Sequence, residues 1–179
     1  MAFHWIKSFL LNRYLSDNKV VRQSEIISLP RAQKIGFLCE ITEEDSYKEI
    51  FSIFSQIQRN NRNLWLMGYI DSKEVPFYCI QQLTADYFSN KELNWYGKPL
   101  KVQIFDFANT EFDILIDFTN RSLLPIRSIL SLSRAKFIIG ANNSNKGYYD
   151  LHIDLNTPFS PRTLLENIHI YTQKLTGEL

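Results

Sequence analysis

The 179-residue chain predicts a single α/β domain. Its core is a Rossmann-like, open, mostly parallel sheet with helices on both faces, preceded by an N-terminal amphipathic helix. Three observations predict it. Short apolar runs of strand length alternate with segments of helical periodicity, and parallel strands need such crossovers. Hydrophobic residues make up 45% of the chain, with 13 Phe, 9 Tyr and 3 Trp, enough for one buried core in a chain too short for two. That apolar content excludes disorder, and no run of about 18 apolar residues offers a spanning helix.

The elements follow in order. Met1 to about Ser16 reads as a helix whose apolar residues Phe3, Trp5, Ile6, Phe9, Leu10, Leu11, Tyr14 and Leu15 form a broad arc interrupted by Arg13. His4, Lys7, Ser8 and Asn12 take the other side. The stretch is too short and lacks the small-residue cleavage site of a secretory signal. A polar linker, Asp17–Pro30, completes an arm of residues 1–30, and the α/β domain occupies 31–179. Lys34–Cys39 suits a buried strand. Thr42 is a candidate N-cap before Glu43, Glu44 and Asp45, and Tyr47, Ile50, Phe51, Phe54 and Ile57 continue a helix to about Asn60. After a polar turn at Asn61–Asn63, Leu64–Ile70 is the second strand, which closes a strand–helix–strand unit.

Asp71–Thr110 is less legible. Tyr78–Ile80 reads as a short strand, Lys91–Tyr96 as one helical turn ended by Gly97 and Pro99, and Val102–Phe107 as either strand or helix. Phe112–Phe118 is a strand, Leu123–Leu132 a helix with Pro125 in its first turn, and Ala135–Gly140 a strand followed by a loop at Asn142–Gly147. Asp150–Leu155 alternates strictly, so one face is wet and the strand lies near a sheet edge. Ser160 caps a last helix with Pro161 at its first position and Leu164, Leu165, Ile168 and Tyr171 as its buried stripe.

In such a sheet, ligands sit beyond the carboxyl ends of the strands. The rim there holds Glu40–Thr42, Asp71–Lys73, Asp117–Arg121 and Gly140–Asn143, which makes Asp71, Asp117, Asn120 and Asn142 the candidate ligand-binding residues. Acidic and amide groups of this kind suit a sugar, a ribose or a metal ion, and equally serve as helix caps. Several chemistries are excluded. The six glycines (36, 68, 97, 140, 147 and 177) are too dispersed for G-x-G or a P-loop, so phosphate cradles of both kinds are absent. There is no G-x-S-x-G elbow. Cys39 and Cys79 sit among apolar residues, make no disulfide framework or zinc knuckle, and fit a reducing, cytoplasmic compartment. His4, His152 and His169 have no metal spacing. Asp150, His152 and Asp154 share a face, but the outer pair stand ~13 Å apart at strand rise, too far to converge on one ion. No catalytic residue, metal or cofactor is assigned.

Charge is distributed unevenly. Residues 1–34 carry six cations against Asp17 and Glu25, and the rest of the chain is net negative. A basic, aromatic arm on a mildly acidic body predicts a non-enzymatic cytoplasmic adaptor. It would dock through Trp5, Lys7, Arg13, Lys19 and Arg22 to an anionic or macromolecular partner such as an RNA-containing complex, without sequence-specific DNA binding. Peripheral membrane contact through Trp5, Phe9 and Leu10 is a weaker form of the same idea. The alternative is a small ligand-binding or glycosyltransferase-like domain acting at the strand ends.

Four segments carry a resemblance: Lys34–Phe37, Glu92–Gly97, Phe112–Asp117 and Ala135–Gly140. Through them, nearly the whole chain resembles a family of small bacterial proteins grouped as a domain of unknown function. That likeness implies an architecture and no activity. Phe112–Gly140 alone also resembles the N-terminal domain of heptosyltransferase-type glycosyltransferases, in a sheet-core segment. Here Glu40–Glu44 replaces the glycine-containing loop of those enzymes, and the chain has no second Rossmann-like domain.

Overall fold

The structure, a computed structural model, describes residues 2–58, 62–155 and 158–178, with side chains described from Trp5 onward. Helix α1 (Ala2–Asp17) precedes β1 (Lys34–Glu40), α2 (Glu44–Gln58), β2 (Asn63–Ile70) and β3 (Ala85–Ser89). Then come α3 (Val102–Asn109), β4 (Ile114–Asp117), α4 (Leu124–Leu132), β5 (Phe137–Gly140), β6 (Leu151–His152) and α5 (Pro161–Thr176). The six strands form one sheet in the order β3-β2-β1-β4-β5-β6, and every pair is parallel.

Strand alternation sends side chains to two cores. Ile35, Phe37 and Cys39 of β1 meet Ile50, Ile53 and Phe54 of α2 and Leu164 and Ile168 of α5 on one face. Leu38, Met67, Leu115 and Ile138 meet Ile104 and Phe107 of α3 and Ile126 and Ile129 of α4 on the other. Phe37 anchors the first core, stacked on Phe118 at 5.5 Å and edge-on to Phe54 at 5.6 Å. The result is three layers, helices on both faces of a sheet, as the alternation of elements predicts.

Several boundaries differ from the sequence reading. Tyr78–Ile80 is loop, because the β2–β3 crossover contains no helix or strand and lies as an irregular segment over the first core. Strand β3 lies where no strand is predicted; its Asp86 breaks the apolar pattern but is held by Trp65 Nε1 at 2.8 Å and Gln81 Nε2 at 2.6 Å. Val102–Asn109 is helix, and Lys91–Tyr96 shortens to a 310 turn at Asn90–Glu92 closed by a Ser89–Glu92 capping box. At α2, Ser46 rather than Thr42 serves the cap: its Oγ accepts the amides of Thr42 and Glu43. The predicted turn at 61–63 and the end of that helix beyond Gln58 fall partly outside the described residues; Asn63 opens β2. On α5, Thr172 is buried where Tyr171 is predicted to be, because Thr172 Oγ1 accepts the Leu29 amide at 3.0 Å and ties the linker down.

The N-terminal helix packs on α4, outside the sandwich. Its apolar arc divides: Leu11 and Leu15 are buried, whereas Trp5 and Phe9 are 66% and 58% exposed. The linker is bonded to the body along its length. Val20 N donates to Ser131 O and Glu25 N to Lys136 O, while Arg22 reaches the Ala135 carbonyl at 2.8 Å and the Asp150 carboxylate at 2.9 Å.

Candidate functional site

Strand order reverses between β1 and β4: from β1 the chain winds outward through β2 to β3, and from β4 it winds the other way. Adjacent crossovers leave this edge on opposite faces, which opens a crevice beyond the carboxyl ends of β1 and β4. Glu40 ends β1 and Asp117 ends β4, so both lie at this point.

The crevice is partitioned by Arg121. Its Nε donates to Glu40 Oε2 at 3.0 Å and its Nη2 to Glu40 Oε1 and, at 3.0 Å, to Asp71 Oδ2. The guanidinium bridges the ends of β1 and β2, with Glu40 beneath it nearly buried. The Arg121 hydrogen bond, with that of Asn90, holds the Asp71 carboxyl below its ordinary range.

On the α1 side of Arg121 lies a cleft of about 450 Å³, lined among others by Lys7, Tyr69, Asp71, Asn90 and Tyr96. On the opposite side are two adjoining crevices of about 220 and 180 Å³ that share Asn120 and Phe159. Asn142, Ser144 and Asp154 line the larger, and Glu40, Glu49 and Thr119 the smaller. A larger hollow, about 740 Å³, lies between the linker and Glu111, Arg134 and Lys136, at the amino ends of the strands, away from the crossover reversal.

Under the two crevices lies a buried polar network. Asp117 is fully buried and accepts the Tyr149 hydroxyl at 2.5 Å, Asn145 Nδ2 at 3.2 Å and the Thr119 amide at 2.9 Å. Desolvation pushes its carboxyl above the ordinary value despite these donors. The Thr119 hydroxyl lies near enough to favour the charged carboxylate, yet without hydrogen-bond alignment. Asn142 Oδ1 accepts the Ser144 amide at 2.9 Å and so fixes the orientation of the side chain. Its Nδ2 is left without a partner, although Asn142 is only 4% exposed. Thr119 Oγ1, Asn145 Oδ1 and His152 Nε2 are buried and unpartnered in the same region.

The four predicted ligand-binding residues therefore do not form one site. Asp71 faces the α1-side cleft, while Asn120 and Asn142 line the crevices across Arg121. Asp117 is not on the rim. The turn through Asn143–Tyr148 brings Tyr149 and Asn145 over it, and burial makes it an anchor for that turn. Glu40 and Thr119 come from the predicted rim segments, whereas Ser144 and Phe159 join the site unannounced, since their convergence depends on strand order, which sequence spacing does not encode.

The predicted partner-binding residues are also separated. Trp5 and Arg13 share the outer face of α1 and Lys19 is exposed, but Lys7 turns inward to the cleft and Arg22 is paired with Asp150. Among the described residues, no group of three or more His, Cys, Asp and Glu is placed to hold a metal ion. Asp150 is spent on Arg22, Ser24 and the Ile138 amide. The amides of Thr42 and Glu43, where a phosphate loop would present donors, are taken by Ser46. Burial pushes the Cys79 thiol up to about 11 and raises Cys39 further, so neither is a ready thiolate. Among the described residues, no helix is long and apolar enough to cross a membrane.

Comparison with known proteins adds one finding. The profile described as "Family of unknown function (DUF6913)" matches residues 5–175, α1 and the sheet together. No curated protein and no solved structure matches, so the local likeness to heptosyltransferases gains no support.

Proposed function

We infer that the chain, which belongs to the DUF6913 family of unknown function, is a domain that binds a small polar molecule at the carboxyl ends of its strands. The site is the pair of crevices across Arg121 from α1. One observation carries this reading: the reversal of strand order between β1 and β4 places two adjoining crevices at the carboxyl ends of the strands, and the exposed Asn120 side chain borders both. The raised thiols of Cys39 and Cys79 favour binding over covalent catalysis. Both cysteines are free, in keeping with a cytoplasmic setting. The test is a thermal-shift screen of sugars, nucleosides, amino acids and phosphates against the full chain and Asn120→Ala. A hit that disappears in Asn120→Ala is expected, and a screen with no hit overturns the reading.

A second reading, the adaptor, is favoured by the exposed Trp5 and Phe9, one helical turn apart, with Arg13 a further turn along the same face. Aromatic rings beside a cation suit RNA bases or an acidic partner surface. Its cationic strength is reduced because Arg22 and Arg31 are paired with Asp150 and Glu178. Tagged protein recovered from cells in a nuclease-sensitive particle, and lost from it on Trp5→Ala with Phe9→Ala, would support the adaptor. Recovery as a small free species would remove it.

A further inference from the structure

We propose that the cleft on the α1 side of Arg121 is a second ligand site, which takes a small organic acid. Its oxyanion, a carboxylate or a phosphate, sits at Lys7 and Arg121, and its carbon body lies against Leu93, Leu123 and Leu124. This site is separate from the two crevices across Arg121 and does not depend on their having a ligand.

Hydrogen-bonding capacity argues first. The acceptor side chains of the Lys7 cleft are already taken by the protein. Asp71 accepts from Arg121 Nη2 at 3.0 Å and from Asn90 Nδ2 at 3.2 Å, and Asn90 Oδ1 accepts the Tyr69 hydroxyl at 2.7 Å. Asn94 Oδ1 accepts the amides of Tyr96 and Lys98 at 3.1 and 2.8 Å. The donors are left over. Partly buried Lys7 forms no ion pair among the described residues. Arg121 spends Nε and Nη2 on Glu40 and Asp71, and its Nη1 donates to no described residue. The hydroxyls of Tyr96 and Ser122, which line the same cleft, are also without a described partner. A wall whose open groups are donors is matched by a ligand made of acceptors, and bonds to an ionised acceptor are the strong ones.

Charge and size agree. Glu40 and Asp71 both face the Arg121 guanidinium, so Lys7 is the cation of the cleft with no carboxylate against it. The cleft also borders Leu123 and Leu124, where α4 begins without a side-chain cap or an acidic residue in its first turn, and the helix dipole adds to the positive side. The two crevices have the opposite character: their described lining includes Glu40, Glu49 and Asp154 and no lysine or arginine. A volume of about 450 Å³ falls in the range of organic ligands and is roomy for a bare inorganic ion. Leu93, Leu123, Leu124 and Pro125 supply the apolar wall that an organic acid would use and a bare ion would not.

The experiment measures thermal shift and calorimetric binding on the full chain at low ionic strength. The probes are benzoate, malate, glycerol 3-phosphate and ribose 5-phosphate, with inorganic phosphate and sulfate as bare ions. At several times its Kd, an organic acid is expected to raise the melting temperature by about 2–4 °C. Binding by benzoate or malate identifies a carboxylate as the source, and binding by the two esters alone a phosphate. Lys7→Ala should weaken binding about tenfold without lowering the unliganded melting temperature, and Lys7→Arg, which keeps the charge, should retain binding. Lys19→Ala, which removes an exposed cation elsewhere on the arm, should leave it intact. Shifts that Lys7→Ala leaves unchanged, or that Lys19→Ala removes equally, overturn the site. So do shifts from the inorganic ions alone, which would mark an adventitious ion only, and the failure of every acid. None of these outcomes bears on the crevices, whose own test is the loss of a hit in Asn120→Ala.

Discussion

At the residue scale, Asp117 and Asp71 are two carboxylates of one edge driven in opposite directions. The Arg121 hydrogen bond lowers Asp71, so the stability it contributes is present above the ordinary carboxylate range and is lost as pH falls through its folded value. Desolvation raises Asp117, so its charged form is the costly one, and that cost is relieved as pH falls through its raised value. Wild-type stability relative to Asp117→Asn should therefore increase on acidification from neutral towards the ordinary carboxylate range. Urea unfolding at a series of pH values measures this, and a difference that shrinks on acidification would contradict it. Asp117→Ala strips the acceptor from Tyr149, Asn145 and the Thr119 amide and should cost about 2–4 kcal/mol. Gly140 belongs to the same account. A Cβ there would strike the Tyr149 ring, so Gly140→Ala should dislodge Tyr149 from Asp117 and destabilise by about 1–3 kcal/mol in the same assay.

At the element scale, the divided face of α1 makes two different predictions. Leu11→Ala removes a fully buried side chain and should cost about 2–4 kcal/mol in urea unfolding. Trp5→Ala and Phe9→Ala should stay within about 0.5 kcal/mol, because both rings already face solvent. A large loss from either aromatic would mean that the outer face is packed. Helical periodicity finds α1 but not which part of its arc is covered, since that depends on α4 arriving from over a hundred residues away. The elements with strong local signals (β1, α2, β2, α4, β5 and α5) were legible from the residues. Strand β3 was not, because Asp86 interrupts its apolar run and the hydrogen bonds from Trp65 and Gln81 that make its burial tolerable are tertiary. Short apolar runs are ambiguous for the same reason, and Val102–Asn109 became helix only by covering Leu115 and Trp65.

At the scale of the whole molecule, the order β3-β2-β1-β4-β5-β6 decides which rim residues meet. The rim itself was legible as the set of segments following predicted strands, and Asn120 and Asn142 belong to it. Its partition was not, because Arg121, Glu40 and Asp71 come together only when β1 lies between β2 and β4. Breaking that strap should merge the compartments and cost stability, because it leaves the nearly buried Glu40 carboxylate without its guanidinium partner. Arg121→Met should lower the melting temperature by about 4–10 °C, and an unchanged value would mean that Glu40 does not need its partner. The most direct test of the account is the side-chain amide spectrum of the isotopically labelled chain during titration with a hit from the thermal-shift screen that Asn120→Ala abolishes. The account predicts that the Asn120 amide, which borders both crevices, moves and saturates while those of Asn90 and Asn94, beside the Lys7 cleft, stay in place. Movement confined to Asn90 and Asn94, with none at Asn120, would contradict it.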